Sequence, residues 1–233
     1  MNVLKLKLNE PAAIPVLSLL FTSAVGVALT LMRIQWRHDW HYLFLIWNLF
    51  LAWLPVVFAV LVFRRHRRGD NWDWKMYSLA GLWLLFLPNA PYIFTDVVHL
   101  TKRFLPHFWV DLSLVLLVAL TGFLLGFVSL FLMQSVVNDR FGKKAGWAFI
   151  VTATGLSGFG IYLGRFLRWN SWDLFAHPLD VTHDIGHLAA NPSSLVFATL
   201  FGTFLLMGYL MLYALTHMRI APMERVALPE TSA

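Results

Sequence analysis

Six apolar stretches, each long enough to cross a bilayer, dominate this chain and leave little over for a soluble domain. They cover residues 14–32, 42–63, 76–93, 112–137, 145–164 and 194–217. A hydrocarbon core about 30 Å thick calls for a helix of about 20 mostly apolar residues. Composition agrees: the 233 residues are 59% hydrophobic and 13% charged, with mean hydropathy +0.66, where ordinary soluble domains hold about 45–50% apolar and about 25% charged residues. The expected fold is all-α, a polytopic membrane protein of about six transmembrane helices forming one integral-membrane domain over residues 1–233. The first window exceeds a signal-peptide core and is followed by Arg33, Gln35, Trp36 and Arg37 instead of a small-residue cleavage site, so it reads as a retained span.

A net charge of +6 and a pI of 9.8 come from Lys and Arg in short connections, not from one soluble basic face, so nucleic acid is not the expected partner. Twelve of these cations lie at the N-terminus (Lys5, Lys7), in the second connection (Arg64, Arg65, Arg67, Arg68, Lys75), in the fourth (Arg140, Lys143, Lys144) and in the C-terminal tail (Arg219, Arg225). The other three connections hold six: Arg33 and Arg37, Lys102 and Arg103, Arg165 and Arg168. The positive-inside rule then places both termini in the cytoplasm, and the first, third and fifth connections together on the extracytoplasmic side. With no cysteine, disulfides and thiolate chemistry are excluded.

The third window ends in LLFLPNAPYIFTDVVHL, residues 84–100. Pro88 and Pro91 each lack a backbone donor and push Leu87 and Ala90 away from helical geometry, so a helix entering this stretch is expected to stop or kink. Carbonyls freed at membrane depth need partners from protein or from a polar cavity. Asn89, Tyr92, Thr95, Asp96 and His99 stand where such a cavity would lie. Asp96 and His99, three residues apart, would share a face if a helix resumes with Thr95 or Asp96 as its N-cap. A carboxylate beside an imidazole is a candidate acid/base pair, and equally a structural hydrogen bond.

Two further motifs lie on the fifth connection. In YLGRFLRWNSWDLFAHP (162–178), Arg165 and Arg168 would present two guanidinium forks to an anion, with Asn170 and Asp173 close behind. The alternative is a surface amphipathic segment with snorkelling arginines. In HPLDVTHDIGH (177–187), His183 and His187 have the spacing of a zinc-binding pair, but Asp184 replaces the expected Glu, and Pro178 and Gly186 argue against a stable helix. These two are weak metal candidates, and no cofactor is implied. Small residues at four-residue spacing (Gly122 with Gly126, Gly160 with Gly164, Ala198 with Gly202) point to close helix packing within the chain, or to a dimer contact, so oligomerisation stays open. Asn48 with Pro55, and Gln134, read as isolated interhelical bonds or a kink.

LPNAPYIFTDVVHL and YLGRFLRWNSWD, together with the six-span layout, resemble the bacterial integral-membrane family catalogued as domain of unknown function 1361. That resemblance implies a bacterial plasma-membrane location and a multispan helical fold, and it implies no activity. The functional expectation from the residues is a polar extracytoplasmic site for an anionic lipid-like or lipid-linked group. Asn89, Tyr92, Arg165, Arg168, Asn170 and Asp173 would bind it, and Asp96 and His99 are the candidate catalytic pair. A structural or accessory subunit, a metal-dependent membrane hydrolase and a small-solute transporter remain alternatives.

Overall fold

A computed structural model describes residues 13–38, 40–100 and 107–218. Lys5, Lys7, Lys102, Arg103, Arg219 and Arg225, and the side chain of His99, lie outside the described residues. All regular structure among the described residues is helical, and six helices are long and apolar enough to cross a membrane.

Helix α1 spans Ala13–Arg37. A 3-10 turn then leads into α2, Leu43–Arg67, which continues through Pro55. The third crossing is composite: α3 (Trp74–Phe86), the single turn α4 (Asn89–Tyr92) and a 3-10 stretch, Ile93–Leu100. Helix α5, His107–Phe141, is the hub. At 1.5 Å per residue its 35 residues reach about 52 Å, well beyond the hydrocarbon core. It packs on α1, α2, α4, the 3-10 stretch and α6. Helix α6 (Lys143–Tyr162) ends in a π-helical turn, Leu163–Leu167; α7 (Asp173–Ala176), α8 (Pro178–Ala190) and the last span α9 (Pro192–Thr216) follow.

Lipid tails are as apolar as the side chains facing them, so close contact and hydrogen bonds hold such helices together. Glycines make that contact. A Cβ on Gly122 would stand 2.7 Å from the Ala90 carbonyl, one on Gly126 would stand 3.2 Å from Ala90 Cβ, and one on Gly160 would collide with the Pro88 ring. The double-proline break is thus gripped from α5 and α6. Ala198 and Gly202 of α9 lie directly against Gly158 and Gly155 of α6. Each of these small-residue faces packs inside the chain. Gln134 accepts from the Tyr209 hydroxyl at 2.6 Å, an interhelical bond between α5 and α9.

At the other turn of the chain, Asp73 caps α3 by accepting from the Met76 amide at 3.0 Å, and Arg65 from the basic run at the end of α2 reaches the same carboxylate at 3.2 Å. The run therefore closes a connection as well as placing cations at a helix C-terminus.

As Pro88 dictates, α3 stops at Phe86, about two turns before the end of the third window. Several other expectations are corrected. Neither Thr95 nor Asp96 starts a helix, because the chain passes through both in 3-10 form, with the Thr95 hydroxyl donating to the Tyr92 carbonyl at 2.7 Å. Residues 178–190 are a helix after all: Pro178 sits at its first turn, where no amide donor is needed, and Val181 and Leu188 are buried beneath it. Arg33 belongs to α1 and not to the first connection, and it is buried.

Candidate functional site

The break in the third crossing exposes carbonyls, and polar side chains answer them. Pro88 cannot donate to Leu84, and the chain beyond it loses the regular ladder. The Asn89 Nδ2 donates to the Phe86 carbonyl at 3.1 Å and to Ser171 Oγ at 2.9 Å; the Ser171 hydroxyl donates in turn to the Leu85 carbonyl at 3.1 Å. Two side chains, one on each motif, thereby close the wound left by two prolines.

About two turns beyond Asn89, Asp96 is buried at 1% exposure. Arg165, on the π-helical turn after α6, meets its Oδ1 at 3.2 Å, and Asn48 from α2 donates to its Oδ2 at 2.8 Å. The same guanidinium lies 6.0 Å from the ring centre of Tyr92, and Tyr92 itself packs against Gly164. A carboxylate so deep in an apolar bundle requires such partners. Both oxygens are engaged, so acid/base work by Asp96 would first have to break one of these bonds.

Around this group lies a cavity of about 460 Å³, within the range of about 300–1,000 Å³ typical of small-molecule sites. Its polar lining is His41, Asn48, Asn89, Tyr92, Asp96, Asn170 and Ser171, and its apolar walls include Trp47, Leu51, Leu85 and Leu163. Helix α8 roofs it through Val181 and Ile185. Trp169 also lines it, and its indole donates to Asp184 of α8 at 2.8 Å, tying roof to wall. Trp172 meets Trp47 edge-on at 6.3 Å.

The residues singled out in the sequence divide accordingly. Asn89, Tyr92, Asp96 and Asn170 line one cavity, and Arg165 reaches it through Asp96. Arg168 does not join Arg165 in a two-pronged anion clamp. Its left-handed backbone (φ 62°) ends the π-helical turn, and its side chain is exposed beside Trp169. Asp173 lies outside the cavity lining and starts α7, accepting from the Asn170 amide at 2.7 Å and side chain at 3.1 Å. His183 and His187 stand on the exposed face of α8, Nε2 to Nε2 3.2 Å. Among the described residues no three His, Asp or Glu side chains converge as a metal-binding group.

Asn48 and Ser171 belong to the site and were not marked as such from the sequence. A lone Asn in an apolar span was the available signal for the first, and Ser171 gave none. A second buried ion pair also went unmarked: Arg33 Nε meets Asp111 Oδ1 at 2.6 Å and its Nη2 meets Oδ2 at 3.0 Å, a bidentate fork between α1 and α5. The Tyr42 ring lies 5.4 Å from that guanidinium.

No curated protein and no solved structure is similar enough to count as a match. A family model described as protein of unknown function (DUF1361) matches residues 47–207, more than two thirds of the chain. The match takes in the proline break, Asp96, Arg165 and the α8 roof, and the chain belongs to that family.

Proposed function

We propose that this protein receives the polar head of a lipid-like or lipid-linked molecule in the cavity between the broken third crossing and the fifth connection, on the extracytoplasmic side of a bacterial plasma membrane. The observation that carries the reading is the cavity itself: about 460 Å³, with the Asn48–Asp96–Arg165 group at one wall and aliphatic and aromatic side chains at the others. Mixed walls of this kind suit an amphiphile whose head is held by hydrogen bonds and whose tail stays among lipids. The charge asymmetry supports the sidedness. Twelve cations at the N-terminus, in the second and fourth connections and in the C-terminal tail stand against six in the other three connections. Because Arg165 is committed to Asp96, an anionic part of the ligand would meet Arg168, exposed beside the cavity-lining Trp169.

Filling the cavity tests this. Ile185 lines the roof and is partly exposed, so Ile185→Trp has room to turn inward without displacing the core. Lipid-like molecules co-purifying with the wild type, counted by native mass spectrometry, are expected to be lost from the variant. Unchanged co-purification would leave the scaffold reading in possession. That second reading has an observation of its own: Asn89 and Ser171 satisfy the carbonyls of the break, which a purely structural motif would also do.

A further inference from the structure

The hydrogen-bond directions around the cavity restrict what its occupant can be. The side-chain amide of Asn48 points its nitrogen at a carboxylate oxygen of Asp96, that of Asn89 points its nitrogen at the Phe86 carbonyl, and that of Asn170 points its nitrogen at Asp173. Each partner is an acceptor, so in all three cases the amide orientation is fixed by chemistry and not by choice. The three Oδ1 atoms accept no hydrogen bond from any described residue. The Ser171 hydroxyl is used on both sides, accepting from Asn89 and donating to Leu85. Asn48 and Asn170 each keep a second amide N–H beyond the bond already named, so the cavity offers N–H donors beside its open amide oxygens, with the Tyr92 hydroxyl able to act either way.

Charge narrows the choice further. A phosphate or carboxylate would bring a charge that no lysine or arginine in the lining balances, and three amide oxygens would face its own lone pairs. An ammonium would find acceptors but no net negative charge, since the Arg165 guanidinium already balances Asp96 at 3.2 Å. Trp47, Tyr92 and Trp169 line the same space with flat apolar faces. From this, and resting on the binding reading above, we infer that the part of the ligand held inside the cavity is an uncharged, hydroxyl-rich head, such as a glycosyl group on a lipid. Its O–H groups donate to the open amide oxygens of Asn48, Asn89 and Asn170, and its ring faces lie against the aromatic walls.

The full-length protein, purified in an amine-oxide detergent so that no glycoside detergent competes, is mixed with three lipids of matched acyl chains: a monoglucosyl diacylglycerol, a phosphatidylethanolamine and a phosphatidic acid. Native mass spectrometry reads which is retained. The glucosyl lipid is expected to be favoured over both phospholipids by at least about fivefold, the worth of one ordinary hydrogen bond. Tyr92→Phe, which removes only a hydroxyl that no described residue bonds, is expected to cut that preference about as much. Preference for the ethanolamine lipid, preference for phosphatidic acid, or equal retention of all three overturns the assignment of the head group while leaving a binding cavity. Retention that Ile185→Trp does not alter overturns the cavity as the binding place, and the head-group assignment with it.

Discussion

Asn89 donates to the Ser171 hydroxyl at 2.9 Å across 82 residues of sequence, and that hydroxyl donates onward to Leu85. One serine thus joins the fifth connection to the broken third crossing on both sides of Pro88. Ser171→Ala removes both bonds and leaves the Leu85 carbonyl and an Asn89 donor proton unmatched. A loss of about 1–3 kcal/mol is expected, read as a lower melting temperature in detergent, with Ser171→Thr restoring much of it. No change in melting would mean that water serves these groups equally well.

Arg33 and Asp111 are buried more deeply than the pair of Asp96 and Arg165, with Asp111 at 0% exposure. Taking one charge away is far more costly than taking both, because the survivor keeps its desolvation penalty. Asp111→Leu is expected to destabilise by about 3–5 kcal/mol. The double variant Arg33→Met with Asp111→Leu should recover most of that in the same melting measurement. If the double variant is as unstable as the single, the pair acts through something other than charge compensation.

Gly160 and Gly81 provide a matched pair of substitutions. A Cβ at Gly160 strikes the Pro88 ring, whereas one at Gly81, on the exposed side of α3, meets nothing within 4 Å. Gly160→Ala is expected to cost about 1–3 kcal/mol by overpacking, and Gly81→Ala to be neutral or to gain up to about 1 kcal/mol from helix propensity. Equal melting temperatures for the two variants would show that α6 does not grip the break.

The six crossings were legible because apolar length alone decides what spans a bilayer, and the break was legible because Pro88 and Pro91 admit few alternatives. The cost of a charge at that depth called for a cation beside Asp96 from among Arg165 and Arg168, and the structure pairs it with Arg165. What stayed hidden has physical reasons too. Asn48 lies 48 residues from Asp96, and one amide in an apolar run suits a kink as well as a site. Arg33 stands at the end of its window, where an arginine looks like a loop cation until Asp111, 78 residues later, is seen across from it. The helix over residues 178–190 is hidden in sequence because Pro178 resembles a breaker yet occupies the one helical position that suits proline, and because Gly186 costs only about 1 kcal/mol against a face anchored by Val181 and Leu188.

Asp73 supplies a pH-dependent contribution of known sign. The Met76 amide bonding its carboxylate, with Arg65 beside it, holds its pKa below the usual range against the opposing effect of partial burial. A carboxylate whose folded pKa is depressed stabilises the fold above the unfolded value of about 4, and loses that contribution as pH falls through the lower folded value. Asp73→Asn keeps a side chain able to cap α3 but removes the charge that titrates. The wild type is therefore expected to melt higher than the variant at pH 6–7 by a small margin, screened because Arg65 and Asp73 are both partly exposed. That margin is expected to close below about pH 4, while the titration of every other carboxylate is common to both proteins. A margin that is constant from neutral pH down to pH 3 would assign the whole effect of Asp73 to capping geometry and none to its charge.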